Sequence, residues 1–262
     1  MKKISLLFLI LTITTNLFAQ NLKNKKGENV LPETGDWSVG MDVIPLLKYA
    51  GNLFYNGSDS TRDFSVIYPL SFSGKYVKKD NLSYRAGLRF GFGGTNNDSL
   101  VAKSGSTNVN EKVSNQIKEK SSNIFLSGGI EKRKGTAHRI TGIYGVEGML
   151  LLKTHKTDYT YGNQLDLNDQ QASHIKRVKD GTTFGFGIRG FLGVEYFLAA
   201  KIALTAEYGW GPSFKNKGRG SIEKEVVDGN TTKTVIEETE KAFTFGFDND
   251  IRNGSISLHF YF

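Results

Sequence analysis

From Leu82 to Phe92 every second residue is apolar: Leu82, Tyr84, Ala86, Leu88, Phe90 and Phe92 share one face, and Ser83, Arg85, Gly87, Arg89 and Gly91 share the other. A repeat of two is the side-chain period of a β-strand and is incompatible with a helix. The pattern returns along the chain. Phe184, Phe186, Ile188, Leu192, Val194, Tyr196 and Leu198 alternate with Gly185, Gly187, Arg189, Gly193 and Glu195. Ile202, Leu204, Ala206, Tyr208 and Trp210 alternate with a face carrying Glu207, and Tyr144, Val146, Leu150 and Leu152 with a face carrying Glu147. Trp37, Val39, Met41 and Val43 alternate with a face carrying Asp42.

These runs last about 12 to 17 residues. Strands of soluble domains average about five or six, whereas a strand crossing a bilayer at a steep tilt takes about 9–11. The faces opposite the apolar ones hold mostly Gly, Ser and Thr with one or two charges each, a composition suited to a crowded interior rather than to open water. The 30 glycines and 12% aromatic content follow the same pattern. With no cysteine, a disulfide framework, thiolate metal sites and a cysteine nucleophile are excluded. A charged fraction of 23% excludes a protein of several transmembrane helices.

The first residues stand apart from this pattern. Met1-Lys2-Lys3 is a basic start, Ile4 to Ile13 an apolar run, and Asn16-Leu17-Phe18-Ala19-Gln20 a cleavage region. The expectation is a cleaved signal peptide over 1–20, a periplasmic N-terminal segment over 21–36 and a barrel over 37–262. An uncleaved anchor helix is the rival, but the run falls short of the roughly 20 residues a span requires. Export leaves little role for the basic charge in nucleic-acid binding.

Strands are expected near 37–49, 64–78, 81–93, 121–133, 138–152, 182–198, 201–213 and 242–262. The connections alternate between short turns (Lys79-Asp80, Lys134 to Ala137, Ala199-Ala200) and long polar stretches (50–63, 94–120, 153–181 and 214–241). Strands immersed in lipid must close on themselves, because an open edge would leave amides unsatisfied. Short turns at one end and long loops at the other are the habit of outer-membrane barrels. The predicted fold is therefore all-β, an eight-stranded antiparallel up-and-down transmembrane β-barrel.

Ile256, Leu258, Phe260 and Phe262 carry the alternation to a terminal phenylalanine. In this the chain resembles the bacterial eight-stranded outer-membrane barrels, OmpA- and OmpX-type in the broad sense. The resemblance spans about Trp37 to Phe262 in architecture, with only the final strand carrying a specific motif. It implies that Ile256, Leu258, Phe260 and Phe262 form the signal read by the barrel-assembly machinery. It also implies a bacterial outer-membrane location, multi-pass, with outer-membrane lipids and lipopolysaccharide as neighbours. The segment Phe18-Ala19-Gln20 is similar to the signal ends of Bacteroidetes exported proteins.

Phe243, Phe245 and Phe247 are odd-numbered, while the outward residues after Ile256 are even-numbered. One strand over 242–262 therefore needs a register change within Asp248 to Gly254, by a β-bulge. A turn at Arg252-Asn253-Gly254 is the rival and would give nine strands.

The inward charges form the candidate site: Asp42, Lys75, Arg85, Arg89, Glu147, Arg189, Glu195 and Glu207. An eight-stranded barrel has an interior that side chains just fill, and unpaired charges there are costly. The expected arrangement is a salt-bridged plug with no continuous pore; a gate passing small ions is the alternative. Gly185-Phe186-Gly187-Ile188-Arg189-Gly190 matches a dinucleotide fingerprint in letters, but it lies inside a long strand with no helix to follow. His155, Ser173 and Asp158 have no spacing that supports a triad, and His259 lies at the short-turn end. No catalytic residue, cofactor or metal is expected. Lys78, Lys79, Lys132, Arg133, Lys134, Arg139 and Lys201 are read as a rim facing anionic headgroups. In the long loops, Asn168 to Lys179 reads as a short surface helix. Ile222 to Val227 and Thr231 to Ile236 read as a hairpin prolonging strands seven and eight. The expected function is non-enzymatic, structural or adhesive, with an extracellular ligand met through the loops. A small-solute channel and a lipid A-modifying enzyme are the alternatives.

Overall fold

The computed structural model describes residues 23–43, 70–135, 138–167, 172–247 and 254–262, apart from Lys25 and Val109. The expected signal peptide, the first long connection and the stretch Asp248 to Asn253 lie outside the described residues.

The wall of the molecule is built from β1 (Trp37–Asp42), β2 (Leu70–Lys79), β3 (Leu82–Ala102), β4 (Lys112–Lys134), β5 (Ile140–Thr160) and β7 (Thr183–Ala199). It continues through β8 (Ile202–Trp210) and β9 (Pro212–Lys217), then β12 (Ala242–Phe247) and β13 (Gly254–Tyr261). Pairing is antiparallel throughout, β5 meets β7 directly, and β13 returns to β1. On β7, Gly190 faces Trp210 and Gly187 faces Ser213, so β8 and β9 are one barrel strand in a single register. The result is a closed eight-stranded antiparallel β-barrel. No helix among the described residues is long and apolar enough to cross a membrane.

The two sides of the last strand answer the register question. Phe247 faces Pro212 and Gly254 faces Tyr208, so seven steps on this strand match four on its neighbour, an excess of three. An odd excess reverses the faces, which is why Phe243, Phe245 and Phe247 and then Phe260 and Phe262 are all exposed. Since β12 and β13 both run antiparallel to the same strand, they run in one direction, and a hairpin between them is excluded.

Two sequence expectations are corrected. The hairpin of β3 and β4 keeps its pairing out to Ala102 and Lys112, so much of 94–120 is ladder rather than loop. Polar side chains are no obstacle there, because both faces of the hairpin are wet. The expected helix within Asn168 to Lys179 is replaced by β6 (Ser173–Lys179). That strand lies between β5 and β10 (Ser221–Asp228), and the ladder bonds they offer outweigh weak helix propensity. The hairpin of β10 and β11 (Thr231–Glu238) forms across Gly229-Asn230 as read. It prolongs strands seven and eight as expected: Lys217 faces Thr183 and Ala242, and four residues on, Ser221 faces Lys179 and Glu238 in the same two registers.

The short-turn end is capped by residues 23–36. Val30 is fully buried against Val77, Phe197, Ala203 and Tyr261. Its carbonyl accepts from the Lys201 amide at 2.9 Å, and the Val77 amide donates to the Asp36 carbonyl at 2.9 Å.

Candidate functional site

Inside the barrel the alternation delivers eight charged side chains from six neighbouring wall strands. Lys75 comes from β2, Arg85 from β3, Glu131 and Arg133 from β4, Glu147 from β5, Arg189 and Glu195 from β7, and Glu207 from β8. All are buried. Four cations meet four carboxylates in two linked rings. In the ring nearer the short turns, Lys75 Nζ lies 2.9 Å from Glu131 and 3.0 Å from Glu195, and Arg133 Nε lies 3.1 Å from Glu195 and 3.9 Å from Glu131. In the other, Arg85 lies 3.1 Å from Glu147 and 2.8 Å from Glu207, while Arg189 lies 3.1 Å and 2.6 Å from the same pair. Arg85 also reaches Glu131 at 3.3 Å and joins the rings.

Neutral partners complete the network. Tyr261 Oη donates to Glu195 at 2.8 Å and accepts from Arg133 at 2.6 Å, and Thr205 Oγ1 donates to Glu195 at 3.1 Å. The Arg85 guanidinium stacks over the Phe191 ring, 4.2 Å from its centroid. Gly145 makes this approach feasible: a Cβ there would stand 2.0 Å from the Ile130 carbonyl and 2.8 Å from the Phe191 ring edge. His259 fills the neighbouring sector beside Gly40, its ring nitrogens 3.1 to 3.4 Å from the hydroxyls of Ser38, Ser73 and Ser257.

Of the residues singled out in sequence, Lys75, Arg85, Glu147, Arg189, Glu195 and Glu207 are gathered here. Asp42 and Arg89 share the inward parity, yet neither enters the rings, and among the described residues Arg89 Nε has no hydrogen-bond partner. Glu131 was missed, and Arg133 was assigned to the rim. Both are buried, at 0% and 5% exposure. The overlooked signal was parity within β4: Leu126 and Ile130 are exposed, so the odd positions Phe125, Glu131 and Arg133 must turn inward. Proximity to a short turn does not make a residue part of the rim. Gly185 to Gly190 lie within β7, paired along their whole length with β5. Ile256, Leu258, Phe260 and Phe262 point away from the interior, with Phe260 and Phe262 exposed at 47% and 67%.

The outer sheet of β5, β6, β10 and β11 has a different character. Arg177 pairs with Asp158 at 2.7 Å and with Glu223 at 3.2 Å, and Lys176 pairs with Glu225 at 2.8 Å. The hydrogen bond from Arg177 holds the Asp158 carboxyl below its ordinary range, and that from Lys176 does the same for Glu225. The His174 ring stacks on Tyr161 with centroids 4.0 Å apart, and that burial, with Lys176 nearby, lowers its affinity for a proton. His155 contacts Thr157, and Asp158 is engaged by Lys156 and Arg177, so no Ser-His-acid relay connects His155, Ser173 and Asp158. Among the described residues no group of three or more His, Asp or Glu is placed to hold a metal ion.

No protein-family model and no curated protein matches this chain. The class is therefore defined by the fold and its interior alone: a closed eight-stranded antiparallel barrel, capped at one end and crossed by a balanced ionic network.

Proposed function

We propose that the chain is a bacterial outer-membrane barrel of the OmpA/OmpX type with a sealed lumen, acting without catalysis as a structural or surface-recognition protein. Its extracellular hairpins, β3–β4 and the β6–β10–β11 sheet, would be the working surface. The observation that carries this reading is the inversion of the wall. Tyr84, Leu88, Phe90 and Phe92 on β3, Tyr144, Val146, Leu150 and Leu152 on β5, and Phe184, Phe186, Ile188, Leu192, Val194 and Leu198 on β7 are each 38–64% exposed, while ions fill the interior. Soluble monomers rarely expose a contiguous apolar patch beyond a few hundred Å². A belt around a whole barrel is the solution for lipid.

The belt has edges. On β3 it runs from Tyr84 to Phe92, and beyond it the ladder carries Gly94, Asn96 and Asp98. Nine residues fit the roughly 9–11 that a tilted strand needs. Trp37, Tyr76 and Tyr84 sit side by side in one ladder row near the short turns, as in an interfacial girdle. At the far edge, Phe214 stacks with Phe186 at 4.8 Å and meets Phe245 in a tilted contact at 4.9 Å. Partners under this reading are lipid, lipopolysaccharide, the barrel-assembly machinery and an extracellular ligand.

Fractionation of cells producing the protein, with unheated and boiled samples run on a detergent gel, tests the location. The chain is expected in the outer membrane and faster-migrating before boiling. A soluble pool, or identical migration, overturns the reading. Planar-bilayer recording tests the seal: a silent membrane is expected, and steady unit conductance would make the protein a channel instead.

A further inference from the structure

Away from the short turns, the apolar belt gives way to a row of like charges. Ile124, Leu152 and Phe184 face one another across β4, β5 and β7, and on these strands they are the belt's last apolar row. Ser122 and Thr154 come next and share a hydrogen bond of 2.7 Å. In the row beyond, Lys120 stands directly opposite Lys156, and Lys156 directly opposite Lys179 on β6. Lys120 has the parity of the exposed Leu126, and Lys156 that of the exposed Leu150, so the row points outward. At a strand tilt of about 40° it stands about 10 Å above the last apolar row. Lysine stems are long enough to reach back toward the interface.

Like charges directly opposite one another across a ladder are destabilising, and here two such pairs adjoin. The next row out relieves them only in part. It sets Lys118, Asp158 and Arg177 side by side, with Lys156 Nζ 2.9 Å and Arg177 Nε 2.7 Å from that one carboxylate. Among the described residues no ion pair engages Lys118, Lys120 or Lys179, and all three are exposed. Gly94 flanks Lys120 on β3 and Ser221 flanks Lys179 on β10, so the row is bordered by small residues and its strands are paired on both sides. Ammonium groups on strands about 5 Å apart call for an anion of more than one charge that bridges neighbours. A phosphate monoester carries about −1.5 to −2 and offers three acceptor oxygens, and lysine binds it as a point charge.

We propose that Lys120, Lys156 and Lys179, with Lys118 above them, seat a phosphate group of an outer-leaflet glycolipid whose acyl chains lie along Ile124, Leu152 and Phe184. The phosphate offsets the repulsion within the row, and the hydroxyls of Ser122 and Thr154 lie at the level between headgroup and chains. This assigns a site to the lipid contact and rests on the outer-membrane reading. The competing reading is a row of solvated lysines that serves solubility alone.

Native mass spectrometry of the folded full-length protein in neutral detergent tests the site. The probes are lipid A with its phosphates, lipid A stripped of them, and inorganic phosphate. Phosphorylated lipid A is expected to be retained and the stripped lipid lost. Replacing Lys120 and Lys179 together by Gln should weaken retention about 25-fold, at about fivefold per lysine near a charged surface. That variant should fold at least as stably as the parent without lipid, because it removes opposed like charges. Replacing the exposed Lys78 and Lys79 at the other rim by Gln removes the same charge and should leave retention unchanged. Equal retention of stripped lipid A, an equal loss from the Lys78 and Lys79 variant, or no loss from the Lys120 and Lys179 variant would each overturn the proposal. Displacement of the lipid by inorganic phosphate would reassign the site to a free anion. Binding is scored on folded protein in detergent, so its failure is distinguishable from a failure of the location, which cell fractionation reads.

Discussion

Two regions of this molecule use the same side chains to opposite ends. In the lumen, Lys75, Arg85, Arg133 and Arg189 meet Glu131, Glu147, Glu195 and Glu207 with side-chain exposures of 0–6%. In the outer sheet, Arg177, Lys176, Asp158, Glu223 and Glu225 pair at similar distances with exposures of 25–47%. Water decides the difference. Around the outer pairs it solvates each ion whether or not its partner is present, so the pair adds about 0–1 kcal/mol. Inside the wall nothing replaces a lost counter-ion, so every charge depends on its neighbours. The lesson is that distance alone does not rank an ion pair.

The largest expected effect breaks the lumen side. Glu195→Gln leaves Lys75 and Arg133 each short of a carboxylate and should destabilise the barrel by about 3–5 kcal/mol, read from urea unfolding followed by gel migration. A loss of under about 1 kcal/mol would show that water already reaches the rings. Next, Gly145→Ala drives a methyl into the Ile130 carbonyl and the ring under Arg85, at a cost of about 1–3 kcal/mol. Unchanged stability there would mean that the Phe191 seat is soft. Arg177→Ala, the matching deletion in the outer sheet, should cost about 1 kcal/mol at most and leave the barrel midpoint where it was.

The smallest effect is a pH dependence confined to the outer sheet. Asp158 and Glu225 are held below their ordinary values. Their contribution is complete above the unfolded carboxylate range of about 4 and fades as pH falls through the lowered values. Amide exchange in β6 should therefore quicken on acidification, relative to neighbours, while β7 stays protected. Simultaneous loss in both strands would erase the distinction between the regions.

How much of this was legible in the chain depends on range. The two-residue period assigned faces correctly for β3, β5, β7 and β8, because it is a local property of the strand. It equally contained Glu131 and Arg133, overlooked only because a cluster of basic residues at a turn looks like surface. The odd offset in the last strand was also visible as a change of parity. What parity could not show was that β6 would be a strand, since its partners lie at Asp158 and Glu223, far along the chain in both directions.

By itself, then, the amino-acid sequence determined the alternation, the number of wall strands and the side on which each residue falls, because these follow from neighbours two positions away. Tertiary structure decided who meets whom. Glu195 finds Lys75 across 120 residues of chain, Arg85 finds Glu207 across 122, and β6 finds Asp158 on one side and Glu223 on the other. Those contacts depend on inter-strand register and on closure of the ring, and neither is encoded in any single stretch of the chain.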